Sequence, residues 1–298
     1  MVFRMASKKT LSTGEKSYRG RIAPTPSGLL HAGHARTFWI AWRRSRQFKG
    51  SLIYRTEDLD HLRCKANFAE TALDDMHWLG LSWAEGPDIG GPNEPYVQSA
   101  RRNRYGTVWR RLLESGHIFP CRRSRKELRV HVEAYGLDTT DPIYPEEWRP
   151  QETSFTAEAP GGEVTWRFRV PLGRKVTFQD GCLGEKTFIA GEDFGDFVVW
   201  RRDDVPAYEL AVVVDDIAMG ITEVVRGEDL LLSTSRQILL YEALGGTEPA
   251  FYHCPLLLDE EGQKLSKRLD SRSIRDHRAN DADAKEWALV FNKFYRSL

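Results

Sequence analysis

Two short runs, far apart in the chain, combine residue types that handle phosphate. The first is Arg21-Ile-Ala-Pro-Thr-Pro-Ser-Gly-Leu-Leu-His31-Ala-Gly33-His34. Pro24, Pro26 and Gly28 stiffen and tighten a strand-to-helix turn. His31, Gly33 and His34 then fall at the start of a helix, where backbone N–H groups and the helix dipole attract phosphate. The imidazoles add donors for phosphate or ribose, and Gly33 omits a Cβ where a flat base could lie against the backbone. The second run is Lys264-Leu-Ser266-Lys267-Arg268. When a carboxylate attacks the α-phosphate of a nucleoside triphosphate, pyrophosphate leaves and negative charge builds on the β and γ groups. Lys264 and Lys267 would neutralise that charge most strongly in the transition state. The two runs read as halves of an ATP site that activates a carboxylic acid. His31, His34, Lys264 and Lys267 are the catalytic candidates, and His31, Gly33, His34 and Lys267 the ATP contacts.

A third group suits a small zwitterion with an extra acid. Arg21 and Arg226 offer planar forks for two carboxylates. Glu57, after a strand, could hold an ammonium, and Tyr208 adds a hydroxyl. Together they describe glutamate.

The elements that must position these residues follow from pattern. Arg21–Pro24 reads as the end of a strand, Ala32–Phe48 as a helix carrying Ala35, Phe38, Trp39 and Trp42 on one side, and 52–56 as a second strand. Helices are expected at 66–79 and 99–115. Strand–helix–strand in this order predicts a parallel α/β sheet with ligands at the carboxyl ends of its strands. From about 117 to 200, Pro and Gly become frequent and short alternating runs such as Val164–Val170 predict antiparallel strands. This stretch is expected to be an α+β insertion in the α/β domain. The parallel pattern is expected to return with strands at Leu210–Asp215 and Ile221–Arg226, a helix near 233–244 and the run to Leu258. Residues 1–18 read as a flexible basic tail, 19–268 as the catalytic domain and 269–298 as a short helical segment.

Bulk properties fit an enzyme of this size. The 298 residues carry 43 Lys plus Arg and 43 Asp plus Glu, so no global field demands a polyanionic partner. Locally, Arg101, Arg102, Arg104, Arg110, Arg111, Arg122, Arg123, Arg125, Lys126 and Arg129 face only Glu114 and Glu127 between positions 101 and 129. Such a cluster is either a footprint for a phosphate backbone or a solvated helix face. Cys64, Cys121, Cys182 and Cys254 lack a paired spacing, which points to a reduced, cytoplasmic compartment. No apolar run reaches the ~18 residues of a membrane span. No signal peptide is expected, and a monomer is.

Five blocks in order carry a resemblance. His31-Ala-Gly-His34 and Lys264-Leu-Ser-Lys-Arg268 resemble the HIGH-type and KMSKS-type signatures of class I aminoacyl-tRNA synthetases of the glutamyl type. Arg55-Thr-Glu57-Asp-Leu-Asp60, Tyr208–Asp216 and Thr222–Leu230 resemble further blocks of that family. The similarity runs from about Arg19 to about Arg275. It implies a Rossmann-type catalytic domain, ATP with Mg2+, and a glutamyl-adenylate intermediate. It places glutamate on Arg21, Ile22, Ala23, Pro24, Thr25, Glu57, Tyr208 and Arg226, and ATP on the two signatures.

Only 30 residues follow Arg268, too few for the helical anticodon-binding domain of full-length members. The chain therefore resembles the truncated branch, which implies transfer of glutamate to queuosine at the wobble position of tRNA(Asp). The basic stretch is the expected contact for that anticodon stem-loop, whose exposed bases suit protein readout. Charging of a tRNA 3′ end and a catalytically silent RNA- or nucleotide-binding module are the competing readings. One departure concerns zinc. Where members of that branch carry C-x-C and Y-x3-C, this chain has Cys121, Arg123, Tyr144 and Trp148. One thiolate and one tyrosine do not make a four-ligand site. No zinc is expected, with Trp148 packing in its place.

Overall fold

The computed structural model describes residues 17–135, 141–256, 273–280 and 282–298. Strand β1 (Arg19–Ile22) leads through the proline-rich turn into helix α1 (Ala32–Gln47), and strand β2 (Ser51–Tyr54) returns parallel to β1. Helices α2 (Ala66–Trp78) and α3 (Arg102–Glu114) follow, α3 after a short 3-10 turn at Gln98–Arg101. The next strands and helix are β3 (Ile118–Cys121), α4 (Arg125–Ala134), β4 (Thr165–Phe168), β5 (Lys175–Asp180), β6 (Gly184–Ile189) and β7 (Phe197–Trp200). The chain then forms α5 (Tyr208–Ala218), β8 (Glu223–Gly227), α6 (Leu231–Ala243) and β9 (Ala250–Cys254), and ends in α7 (Ile274–Ala279) and α8 (Ala284–Ser297).

The architecture is α/β. β8 runs parallel to β9, and β9 parallel to β5, with β6 antiparallel at the outer edge. A main-chain bond from the Thr222 N–H to the Arg19 carbonyl (2.8 Å) sets β1 beside β8. All the parallel strands therefore open their carboxyl ends toward one side, where α/β folds bind ligands. Separately, β3, β4 and β7 form a three-stranded antiparallel sheet.

Two expectations need correction. The run Leu210–Asp215 is helix α5 and not a strand. Every residue from Glu209 to Asp216 is buried, and a helix enclosed on all sides has the same unbroken apolar run as a buried strand. The hairpin β5–β6 lies within 117–200 yet joins β9 in the parallel layer through Asp180 and Phe251. The antiparallel sheet of the inserted region is thus β3–β4–β7, and the hairpin returns to the main sheet.

Two apolar clusters hold the layers. One packs α1, β1, β2, α2 and α8 through Trp39, Tyr54, Met76 and Phe291; the other packs α3, α5, α6 and the inner strands through Trp109, Trp166, Trp200 and Leu240. No helix among the described residues is long and apolar enough to cross a membrane.

Candidate active site

A cleft of about 990 Å3 opens at the carboxyl ends of the parallel strands. One edge is the start of α1. His31 occupies the position before the helix with extended backbone; its Nδ1 accepts from the Gly33 N–H (3.2 Å), and its own N–H donates to His34 Nδ1 (3.4 Å). An Nδ1 that accepts is unprotonated, so each neutral ring carries its proton on Nε2. The ring centroids are 3.8 Å apart. Burial lowers the pKa of His31; burial and then the His31 neighbour lower that of His34 to about 4. The edge is thus a pair of neutral N–H donors at a helix N-terminus, suited to phosphate or ribose oxygens. Gly33 has a reason within the chain. A Cβ there would lie 3.1 Å from His31 Cε1 and 3.2 Å from its Nδ1, crowding the ring that caps the helix.

The cleft floor is built on Arg55, which is fully buried at the end of β2. It donates to Glu57 Oε1 (2.9 Å) and Asp216 Oδ1 (2.6 Å), with Asp215 Oδ2 at 3.8 Å. Asp215 also accepts from Arg101 Nε (2.5 Å), Gln98 Nε2 (2.9 Å) and Tyr105 OH (2.8 Å). Burial opposes the charge on Arg55, but Asp216, Glu57 and Asp215 together hold its pKa well above the ordinary value. Arg21 completes the floor. Its Nη1 donates to the Val225 carbonyl (3.1 Å) and its Nε stands 3.5 Å from Asp216 Oδ2. Among the described residues, every bond to the Glu57 carboxylate falls on Oε1, which leaves Oε2 to take a cation. Burial raises the Glu57 pKa, against the pull of Arg55 and Arg21.

The opposite wall is built differently. Arg226, at the end of β8, donates from Nε to His253 Nε2 (3.1 Å), from Nη1 to Gln237 Oε1 (2.8 Å) and from Nη2 to Thr234 Oγ1 (2.6 Å). It is 5% exposed, and none of these partners is a carboxylate. Among the described residues no acid lies within ion-pair distance of it. A buried cation held only by neutral acceptors favours an incoming anion.

Arg21, Ala23, Pro24, Thr25, His31, Gly33, His34, Glu57, Tyr208 and Arg226 all line this one cleft. Ile22 does not. It is a core residue of β1 with no exposed surface, and its carbonyl accepts from the Arg55 N–H (2.9 Å). Lys264 and Lys267 lie outside the described residues. Sequence reasoning missed Arg36, which lines the cleft one turn along α1 and is 4% exposed. It donates to the Pro255 carbonyl and lies 4.3 Å over the Phe294 ring, while its Nε and Nη1 have no hydrogen-bond partner among the described residues. The available signal was an arginine flanked by Ala35, Trp39 and Ile40 on the buried face of α1.

In the inserted region, Cys121, Arg123, Tyr144 and Trp148 do converge. Cys121 Sγ is 3.3 Å from the Tyr144 hydroxyl, which is 3.3 Å from the Trp148 carbonyl; Arg123 lies 4.8 Å over the Trp148 ring. Trp148 also packs against His131 at 4.6 Å between centroids. Among the described residues, no group of three or more His, Cys, Asp or Glu side chains is arranged to hold a metal ion. The basic stretch is dispersed. Arg101 is buried on Asp215, while Arg102, Arg122 and Arg123 pair with Asp204, Glu163 and Glu127.

A family model for the catalytic domain of class I tRNA synthetases (E and Q) matches residues 17–296. The glutamyl-Q tRNA(Asp) synthetase of Symbiobacterium thermophilum is 47% identical over 264 residues, covering 87% of this chain and 81% of that protein. That of Nitratidesulfovibrio vulgaris is 46% identical over 259 residues, 86% and 80%. A crystal structure of a glutamate tRNA ligase from Elizabethkingia meningosepticum, in complex with its amino acid, superposes with a TM-score of 0.75 at 32% identity. The match covers 85% of this chain and 52% of that one, so the chain spans about half the length of that ligase.

Proposed function

This chain belongs to the class I tRNA synthetase family (E and Q), matching its catalytic domain, and from that premise we propose that it activates L-glutamate with ATP and transfers it to queuosine at the wobble position of tRNA(Asp). The observation that carries the reading is the pairing, across one cleft, of a buried Arg226 with no direct ion pair among the described residues and a Glu57 whose Oε2 takes no bond from them. A cation and an anion facing the same space fit an amino acid with a second carboxylate. The names of two relatives as glutamyl-Q tRNA(Asp) synthetases supply the acceptor.

In this reading Arg226 and Arg21 take the carboxylates of glutamate, Glu57 its ammonium, and the Tyr208 hydroxyl and the Ala23–Thr25 backbone complete the pocket. The Nε2–H groups of His31 and His34 and the start of α1 hold ATP, with Arg36 as a further donor. Mg2+ accompanying the nucleotide would screen its phosphate charge. A glutamate carboxylate oxygen attacks the α-phosphorus; the new O–P bond forms as the bond to pyrophosphate breaks, and Lys264 and Lys267 neutralise the departing charge. A hydroxyl of the queuosine cyclopentenediol then attacks the activated carbonyl, AMP leaves, and the hydroxyl proton passes to solvent. The mixed anhydride is already electrophilic, so the protein supplies position and charge and needs no nucleophile of its own.

The test is transfer of labelled glutamate to bulk tRNA from queuosine-containing and queuosine-lacking cells. Transfer to the first pool alone is expected. Equal transfer to both would replace this reading with 3′-end charging, and no transfer together with no glutamate-dependent pyrophosphate exchange would leave a silent binding module.

A further inference from the structure

Behind Arg226 lies a chain of buried groups that the substrate contacts do not use. It begins at Asp180, the last residue of β5, which is 2% exposed. Asp180 Oδ1 accepts from the N–H groups of Cys182 (3.0 Å) and Leu183 (2.9 Å), and the His253 N–H reaches both carboxylate oxygens (3.2 and 3.1 Å). Its Oδ2 also stands 2.6 Å from His253 Nδ1. His253, on β9, has no exposed surface.

The proton positions in this chain follow from donor inventory. Arg226 Nε can only donate, so His253 Nε2, 3.1 Å away, must be the acceptor. The imidazole then carries its single proton on Nδ1, where the Asp180 carboxylate receives it. Thr234 Oγ1 is 3.0 Å from the same Nε2; it accepts from Arg226 Nη2 and lies 3.2 Å from the Leu230 carbonyl. Asp180, His253 and Arg226 therefore each have one workable role, and the Thr234 hydroxyl donates to the Leu230 carbonyl or to Nε2. Protonating His253 would set an N–H against the Arg226 N–H and a second positive charge beside the first.

We propose that Asp180 and His253 are positioning residues: the aspartate fixes the imidazole tautomer, and the imidazole lone pair fixes the plane in which Arg226 presents its guanidinium to a substrate carboxylate. The inference rests on the glutamate reading of the cleft. It follows the general logic by which a carboxylate on one imidazole nitrogen sets the role of the other. Burial first, and then the Arg226 charge, hold the His253 pKa below its ordinary value against the pull of Asp180, which agrees with a neutral ring. A histidine that merely filled the core would not need its acceptor on a particular nitrogen.

Steady-state pyrophosphate exchange on the whole chain, with glutamate and ATP varied separately, tests this. His253→Asn keeps a donor toward Asp180 but places no atom near Nε2. His253→Gln places an amide oxygen there. Asp180→Asn keeps an oxygen for the backbone N–H groups but turns an amide toward Nδ1, which forces the wrong tautomer. His253→Asn is expected to raise the glutamate KM about tenfold or more, the loss of one bond to a charged group, with the ATP KM within twofold of wild type. His253→Gln should recover most of that loss, and Asp180→Asn should behave like His253→Asn. An unchanged glutamate KM, equal effects of the Asn and Gln variants at 253, or parallel rises for glutamate and ATP would overturn the proposal. If His253→Asn does not fold, the ratio between His253→Gln and Asp180→Asn decides by the same criterion. A wild-type chain without glutamate-dependent exchange would overturn the functional reading and this inference with it. An active wild type with unshifted variants would overturn the inference alone.

Discussion

The floor of the cleft and its opposite wall each bury an arginine, and they do so by opposite rules. Arg55 meets Glu57, Asp215 and Asp216; Arg226 meets a histidine, an amide and a hydroxyl. The first is charge-balanced within the chain, so it holds elements together. The second is hydrogen-bonded with no direct ion pair among the described residues, so its charge faces the cleft for a ligand. Burial alone does not separate structural from functional arginines. The charge of the partners separates Arg55 from Arg226, while Arg21 has both an acid neighbour, Asp216 at 3.5 Å, and a place in the cleft lining.

The sharpest way to break this comparison is to neutralise each arginine and see which property fails. Arg226→Gln should lower kcat/KM for glutamate activation by on the order of 10^3-fold, the loss of a charge-assisted contact to substrate. Stability should change by less than about 1 kcal/mol, because removing an unbalanced buried charge offsets the lost hydrogen bonds. Chemical denaturation and pyrophosphate exchange on the same preparation check both halves. A variant that unfolds easily would place Arg226 in the structural class.

Arg55→Met should do the reverse. It removes the Arg55 bonds of Glu57 and Asp216, while Asp215 keeps Arg101, and breaking a buried pair on one side costs about 3–5 kcal/mol. The loss should appear as a shifted denaturation midpoint, with no recovery by added glutamate beyond ordinary ligand linkage. A stability within about 1 kcal/mol of wild type would mean that the floor is not the clamp described.

The sequence made one side of this contrast readable and hid the other. Glu57 and Arg226 were legible because each follows an apolar strand run, and Arg21 because it opens the proline-rich run to His34; the fold collects these strand ends on one side. Helix α5 was misread because Leu210–Val214 has no polar face to reveal its period. Asp180, Thr234, Gln237 and His253 were invisible as a group. They come from β5, α6 and β9, and only the crossing of those elements makes them neighbours of Arg226. Arg36 had a local signal, an arginine on an apolar helix face, but nothing local says that two of its nitrogens lack partners among the described residues.

The inserted region offers a milder contrast with the cleft, since its small cluster stands apart from both main cores. Trp148 joins Tyr144, His131 and Arg123 there and is only half-buried. Trp148→Ala should therefore cost about 1–2 kcal/mol, below the range for a fully buried tryptophan. Amide exchange should quicken around β3 and α4, and pyrophosphate exchange should stay near wild type. A matching fall in pyrophosphate exchange would show that the insertion and the cleft are energetically one unit.

The smallest expected effect is also the most specific to the Arg226 wall. His253 is held neutral by groups from three elements: Asp180 of β5, Arg226 of β8 and Thr234 of α6, with the Phe178 and Phe251 rings beside it. Its folded-state pKa is lowered, whereas in the unfolded chain it titrates near about 6.5. Between those two values the unfolded state binds the extra proton, so stability is present above about pH 6.5 and declines as the pH falls through that window. One such group contributes at most about 1.4 kcal/mol per pH unit. His31 and His34 act in the same direction, and the Asp180 carboxylate titrates at lower pH. Comparison of wild type with His253→Gln cancels the histidines of the α1 edge and isolates the wall. Denaturation between pH 6.5 and 5 should give the variant a shallower pH slope than wild type. Equal slopes would mean that His253 takes up its proton in the folded protein, which the lone pair offered to Arg226 does not allow.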